Sequence, residues 1–67
     1  MPLFKKMRFK VGDTVYLSRS QTFSTTPPTI IPYHAQVKIV LVDKIFRTYD
    51  IEYNNEVFTD FLDTDFE

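Results

Sequence analysis

Thr48-Tyr-Asp-Ile-Glu-Tyr-Asn-Asn-Glu-Val-Phe-Thr-Asp-Phe-Leu-Asp-Thr-Asp-Phe-Glu67 is the stretch whose reading decides the fold. Tyr49, Ile51 and Tyr53 alternate with Asp50 and Glu52, the period of a half-buried strand. Asn54-Asn55 follows. Asn tolerates positive φ better than other non-glycine residues, so the pair reads as a two-residue hairpin turn. That turn sets Ile51 opposite Phe58 and Glu52 opposite Val57. Asp60-Phe-Leu-Asp63 reads as one tight helical turn, and Thr64 to Glu67 as a short closing strand with Phe66 pointing inward.

Working outward, Ala35 to Lys44 is the clearest strand, with Val37, Ile39 and Leu41 as its inward set and Gln36 and Lys38 facing out. Val40 and Val42 continue the outer face, so this strand is either central or carries an exposed adhesive face. Phe9 to Ser18 reads as the first strand, with Phe9, Val11, Val15 and Leu17 on one parity. Gly12, the only glycine of the chain, marks a bulge or tight turn within it. Lys10-Val-Gly-Asp-Thr-Val-Tyr16 therefore reads as an entry turn and then a strand. Residues 19–34 are rich in Ser and Thr and are punctuated by Pro27, Pro28 and Pro32, a composition unsuited to a helix or a central strand. This long loop carries Phe23, Ile30, Ile31 and Tyr33, and is expected to fold back over one end of the body. Residues 1–8 read as an N-terminal arm.

Composition narrows the function. Sixty-seven residues allow one domain with a marginal core. There is no Cys, which excludes disulfides, thiolate metal sites and thiol nucleophiles, and the single His excludes a multi-histidine metal centre. Aromatic residues make up 16% of the chain, which suits a compact β core. No apolar run approaches the roughly 20 residues of a membrane helix, and no signal peptide is visible. With no Cys, a cytoplasmic setting is expected. The net charge of −1 hides a polarised distribution. Lys5, Lys6, Arg8 and Lys10 crowd the start, whereas Asp50, Glu52, Glu56, Asp60, Asp63, Asp65 and Glu67 crowd the end with no base among them. The two ends are expected to lie side by side and neutralise each other.

The order of these elements is that of an SH3-like barrel. Val11-Gly-Asp-Thr-Val-Tyr16 resembles the first strand of Tudor-like and KOW-like barrels. Tyr49 to Phe66 is similar to their closing hairpin, helical turn and final strand. The resemblance covers about half the chain. Unlike KOW modules the chain has no glycine after Gly12, and unlike most methyl-reading Tudor domains it has no Trp. Its layout is also similar to that of small SH3-like proteins of bacteria and their phages, which implies such a setting. The expectation is an all-β fold, a single small five-stranded SH3-like barrel over residues 1–67 with a long first loop and a short helical turn before the last strand.

A catalytic triad would need His34, which has no nucleophile in a recognisable elbow and reads as a strand-edge residue. Asp60, Asp63 and Asp65 lack the glycine and terminal Glu of a calcium loop and read as a solvated acidic edge. No glycine loop cradles phosphate, and no cofactor is implied. What is left is a non-catalytic binding module. Barrels of this kind use aromatic residues beside the first loop, here Tyr16, Phe23, Tyr33, Phe46, Tyr49 and Tyr53, with Tyr49 and Tyr53 read as rim residues of the core. Three partners are open. A protein comes first, regulatory and acting on a larger host protein in the phage setting; it would be met by Phe23, Ile30, Ile31, Tyr33, Val40, Val42 and Phe46. A nucleic acid comes second, gripped by Lys5, Lys6, Arg8, Lys10, Lys38, Lys44 and Arg47. An acidic mimic of nucleic acid comes third, using Asp60, Asp63 and Asp65. A homo-oligomer formed through the sheet edge would also relieve a marginal core.

Overall fold

A computed structural model describes residues 6–67. The strands run β1 (Thr14–Tyr16), β2 (Gln21–Phe23), β3 (Thr29–Ile31), β4 (Gln36–Asp43), β5 (Thr48–Tyr53) and β6 (Glu56–Phe61), followed by a 3-10 turn at Asp63–Asp65. The fold is all-β. A four-stranded antiparallel sheet has the order β1-β4-β5-β6, and β2 and β3 form a separate two-stranded sheet. The sheets do not close into a barrel. Instead, one antiparallel bridge, Leu17 to Phe66, ties the end of the chain to the strand that opens the sheet. Ser18 N–H donates to the Asp65 carbonyl (2.8 Å) and Glu67 N–H to the Tyr16 carbonyl (2.9 Å) on either side of it.

The β5–β6 hairpin pairs Ile51 with Phe58, Glu52 with Val57 and Tyr53 with Glu56, the register set by Asn54-Asn55. Both asparagines have positive φ (51° and 63°), the conformation that a type I′ turn demands. Two bulges then bend the sheet. In β4 the register steps from Ile39↔Ile51 to Leu41↔Asp50, which leaves Val40 as the extra residue. In β6 it steps from Phe58↔Ile51 to Phe61↔Tyr49, and Asp60 absorbs the kink with φ 67°.

These bulges correct two expectations. Beyond Val40 the parity of β4 reverses, so Leu41 turns outward (46% exposed) and Val42 packs against the core. The spacing of three between Phe58 and Phe61 fits a helical turn by sequence. Pairing with β5 makes it a bulged strand, both rings are buried, and the 3-10 turn falls at Asp63–Asp65 rather than Asp60–Asp63.

The first strand is shorter than its pattern. Gly12 takes φ 98°, a conformation that costs a β-carbon strain, and the turn is held by Asp13 N–H on the Lys10 carbonyl (3.1 Å) and Lys10 N–H on Asp13 Oδ2 (3.0 Å). Val11 is thereby thrown outward (62% exposed), whereas Val15 and Leu17 enter the core.

The larger correction concerns residues 19–34. They form a hairpin in which Gln21 faces Ile31, Thr22 faces Ile30 and Phe23 faces Thr29. Its prolines do no harm to the ladder, because Pro27 and Pro28 sit in the connecting loop, where no N–H is needed. Thr25 Oγ1 bonds the Pro27 carbonyl (2.6 Å) and the Thr29 hydroxyl (2.8 Å) across that loop. The hairpin lids the core. Ile31 is fully buried, and Phe23 lies against Phe58 and Phe61 at 4.5 and 5.7 Å between ring centroids.

The ends of the chain do meet, chiefly through carbonyls rather than paired carboxylates. The Arg8 guanidinium donates to the carbonyls of Asp63 and Phe66 (2.5 and 3.1 Å) and lies over the Phe9 ring. Asp65 is buried in the closing turn. Its Oδ1 receives both Nε and Nη2 of Arg19 (3.2 and 2.7 Å), and its Oδ2 receives the Leu62 N–H (2.9 Å). Replacing Asp65 by Ala strips these acceptors from the turn that carries Phe66 into the core. Urea unfolding should show a loss of about 2 kcal/mol for Asp65→Ala; parent-like stability would contradict the role given to this carboxylate.

Candidate nucleic-acid interface

The entry turn and the β4–β5 turn lie side by side and wall an open groove of about 830 Å³. Lys6, Arg8 and Lys10 line it from the entry segment, Lys44 and Arg47 from the β4–β5 turn, and Met7, Phe9 and Val42 add apolar lining. One acid, Asp13, borders it, with Oδ2 occupied by the Lys10 backbone N–H. Five cations thus face one carboxylate on a body whose net charge is −1. Among the described residues the ammoniums of Lys10 and Lys44 meet no carboxylate at ion-pair distance. A concave surface lined by one sign of charge concentrates its field.

The position of Arg8–Lys10 depends on Tyr49. Its side chain is fully buried, with Phe9 and Phe66 packed edge-on at 5.8 and 5.6 Å between centroids. Its hydroxyl donates to Asp63 Oδ1 (2.5 Å) and accepts from Phe9 N–H (3.3 Å). Tyr49 is therefore the hub of the core and not a rim residue. The opposite wall is fixed by Asp43, whose Oδ1 accepts from the N–H groups of Ile45 (2.9 Å) and Phe46 (3.0 Å). This turn presents Ile45 and Phe46 to solvent, 87% and 77% exposed, between the two cations of that wall.

The sequence-based nucleic-acid candidates are thus largely brought together. Lys6, Arg8, Lys10, Lys44 and Arg47 share the groove, whereas Lys38 lies in a separate polar cleft with Glu52, Tyr53, Asn54 and Asn55. Lys5 lies outside the described residues. Arg8 is partly committed to the carbonyls it clamps. The protein-contact candidates are scattered. Phe23, Ile31 and Val42 pack in or against the core, and Val40 is half-buried. Ile30, Tyr33 and Phe46 are exposed. Of the acidic candidates, Asp65 is buried on Arg19 and Asp63 is bonded to Tyr49, which leaves Asp60 exposed at its bulge.

His34 sits at the surface, stacked on Tyr16 and bonded through Nδ1 to the Glu67 carboxylate. No group of three potential metal ligands occurs among the described residues, and none of their helices is long and apolar enough to cross a membrane. Comparison with known protein families, characterised proteins and solved structures gives no match.

Burial raises the Tyr49 phenol above its ordinary value of 10.0, and the hydrogen bond to Asp63 adds to the shift. The folded chain therefore holds this proton more tightly than the unfolded chain. The resulting stability is intact below pH 10 and is lost as pH rises from there through the folded-state value. Tyr49→Phe keeps the ring and removes the titration. It should cost about 1 kcal/mol at neutral pH and flatten the alkaline loss of stability followed by circular dichroism. An unchanged alkaline slope in Tyr49→Phe would contradict this.

Proposed function

We propose that this chain is a non-catalytic binding module of SH3-like layout whose basic groove holds the phosphodiester backbone of a nucleic acid. The observation that carries the proposal is the convergence of Lys6, Arg8, Lys10, Lys44 and Arg47, drawn from two distant parts of the chain, on one concavity with a single acid. Sequence alone ranks a protein partner first, through the apolar residues of the 19–34 segment. Burial of Ile31 and packing of Phe23 against the core weaken that surface, while the cations gather. None of the seven acids of the final third lines the groove, and three are engaged elsewhere: Asp65 on Arg19, Asp63 on Tyr49 and Glu67 on His34.

The SH3-like part of the proposal rests on the order of the elements. A first strand is followed by a long excursion, three strands in meander, a 3-10 turn and a last bridge back to the first strand. In that layout the excursion is the β2–β3 hairpin. A protein partner is the second reading, carried by Ile30 and Tyr33, each 62% exposed on or just after β3. Binding that resists both nuclease and salt would favour it.

Phosphate contacts release counterions, so affinity for a mixed-sequence oligonucleotide should fall with added salt. With four cations engaged, the slope of log K against log salt should be about −3. Lys10→Gln with Lys44→Gln should lower that slope by about 1.4 and weaken binding at about 50 mM salt. Fluorescence anisotropy reads both. No binding at that salt, or a flat salt response, would overturn the proposal.

A further inference from the structure

The β4–β5 turn places an aromatic ring where phosphate binding alone has no use for one. Phe46 is 77% exposed, Ile45 beside it is 87% exposed, and the flanking residues Lys44 and Arg47 line the groove. The turn is not loose, because Asp43 Oδ1 accepts from both the Ile45 and Phe46 N–H groups. Ile45 and Phe46 together leave an apolar tip exposed between two groove-lining cations, and covering that tip would remove apolar surface from water. We infer that the occupant is a single strand of DNA or RNA, with phosphates on Lys10 and Lys44 and one unpaired base stacked on Phe46. This rests on the phosphate-backbone reading of the same groove and adds the state of the strand.

Three features favour a single strand over a duplex or a membrane. Phe46 does not itself line the groove but lies in the turn between Lys44 and Arg47, which do, and an exposed ring there meets the flat face of a base only when that base has left a double-helical stack. The groove is a short concavity between two turns, which a flexible single strand can follow along its length and a stiff duplex can only straddle. An anionic bilayer would meet the Ile45–Phe46 tip, but it would leave Lys6 and Lys10 facing it from the far wall of a concavity. A strand threaded along the groove meets both walls at once. Stacking on an aromatic ring is tolerant of sequence because every base has a π face, so little sequence preference is expected.

The test measures anisotropy of labelled dT12, rU12, a 12-base-pair duplex and inorganic polyphosphate, with the parent chain, Phe46→Ala and Phe46→Tyr. Vesicles containing phosphatidylserine form a parallel arm read by co-sedimentation. Phe46 is a solvent-facing turn residue, and the circular-dichroism spectrum of each variant checks that the fold is kept. Both single strands should bind at least tenfold more tightly than the duplex. Phe46→Ala should weaken them about tenfold to a hundredfold, Phe46→Tyr should restore most of the loss, and polyphosphate binding should be unmoved by either change. Equal affinity for strand and duplex with a neutral Phe46→Ala would overturn this inference and leave the phosphate-backbone reading intact. No binding to any oligonucleotide would overturn both. Binding to vesicles alone, lost in Phe46→Ala, would replace the strand by a membrane surface.

Discussion

The structure depends on the clasp between the closing turn and the two segments that flank β1. An open four-stranded sheet has two free edges, and this one is only three residues deep at β1. The clasp joins them without a continuous ladder. Leu17 bridges Phe66, Arg19 holds the buried Asp65, Tyr49 holds Asp63, and Arg8 caps the carbonyls of Asp63 and Phe66. Phe66 can then stack against Phe61 and meet Phe9 and Tyr49 edge-on. In a chain this short each such contact matters, because a single core of this size stabilises by only a few kcal/mol. Among the described residues no buried side-chain nitrogen or oxygen lacks a partner. The polar clasp is thus inserted into the core without an unsatisfied group.

The same clasp produces the groove. Phe9 is anchored by its ring against Tyr49 and Phe66, and by its N–H on the Tyr49 hydroxyl, which sets Arg8 and Lys10 on either side of it. The facing wall is the β4–β5 turn, held at its own end by Asp43. The charge asymmetry of the sequence is therefore resolved by sorting rather than by cancellation. Asp63, Asp65 and Glu67 are bonded to Tyr49, Arg19 and His34, no acid of the final third lines the groove, and the cations face that concavity. One side chain, Arg8, belongs to both parts of the structure, because it lines the groove and clamps the chain end.

How much of this was legible in the sequence follows from the range of each interaction. The turn and first pairs of the β5–β6 hairpin were readable, because alternation and Asn54-Asn55 are local signals, and so was the inward placement of Val37, Ile39 and Phe66; the bulge at Asp60 read as a helical turn, and the shared parity of Val11, Val15 and Leu17 broke at Gly12. The bulge at Val40 was not, since β4 is apolar on both faces and a reversal of parity leaves no mark. The β2–β3 hairpin was hidden by its prolines, whose place in the loop rather than the ladder is a tertiary fact. Asp65 looked like one acid in a solvated run, because its partner Arg19 lies 46 residues away. Tyr49 looked like a rim residue for the same reason. The barrel expected from the layout did not close, because after β6 the chain returns by a 3-10 turn and one bridge rather than by a strand. The basic candidates were named from the sequence. What the sequence lacked was the fold that brings residues 6–10 beside residues 44–47.

In the proposed function the entry turn and the β4–β5 turn form one binding surface. Its most direct measurement is a two-dimensional amide NMR titration of the labelled chain with dT12. With both turns in contact with the strand, the largest shifts should cluster at residues 8–13 and 43–47 and move together with a single apparent affinity. The β2–β3 hairpin and the Asn54-Asn55 turn, away from the groove, should stay still. Shifts centred on Ile30 and Tyr33, or on Lys38 and Asn54, with residues 43–47 unmoved, would contradict it.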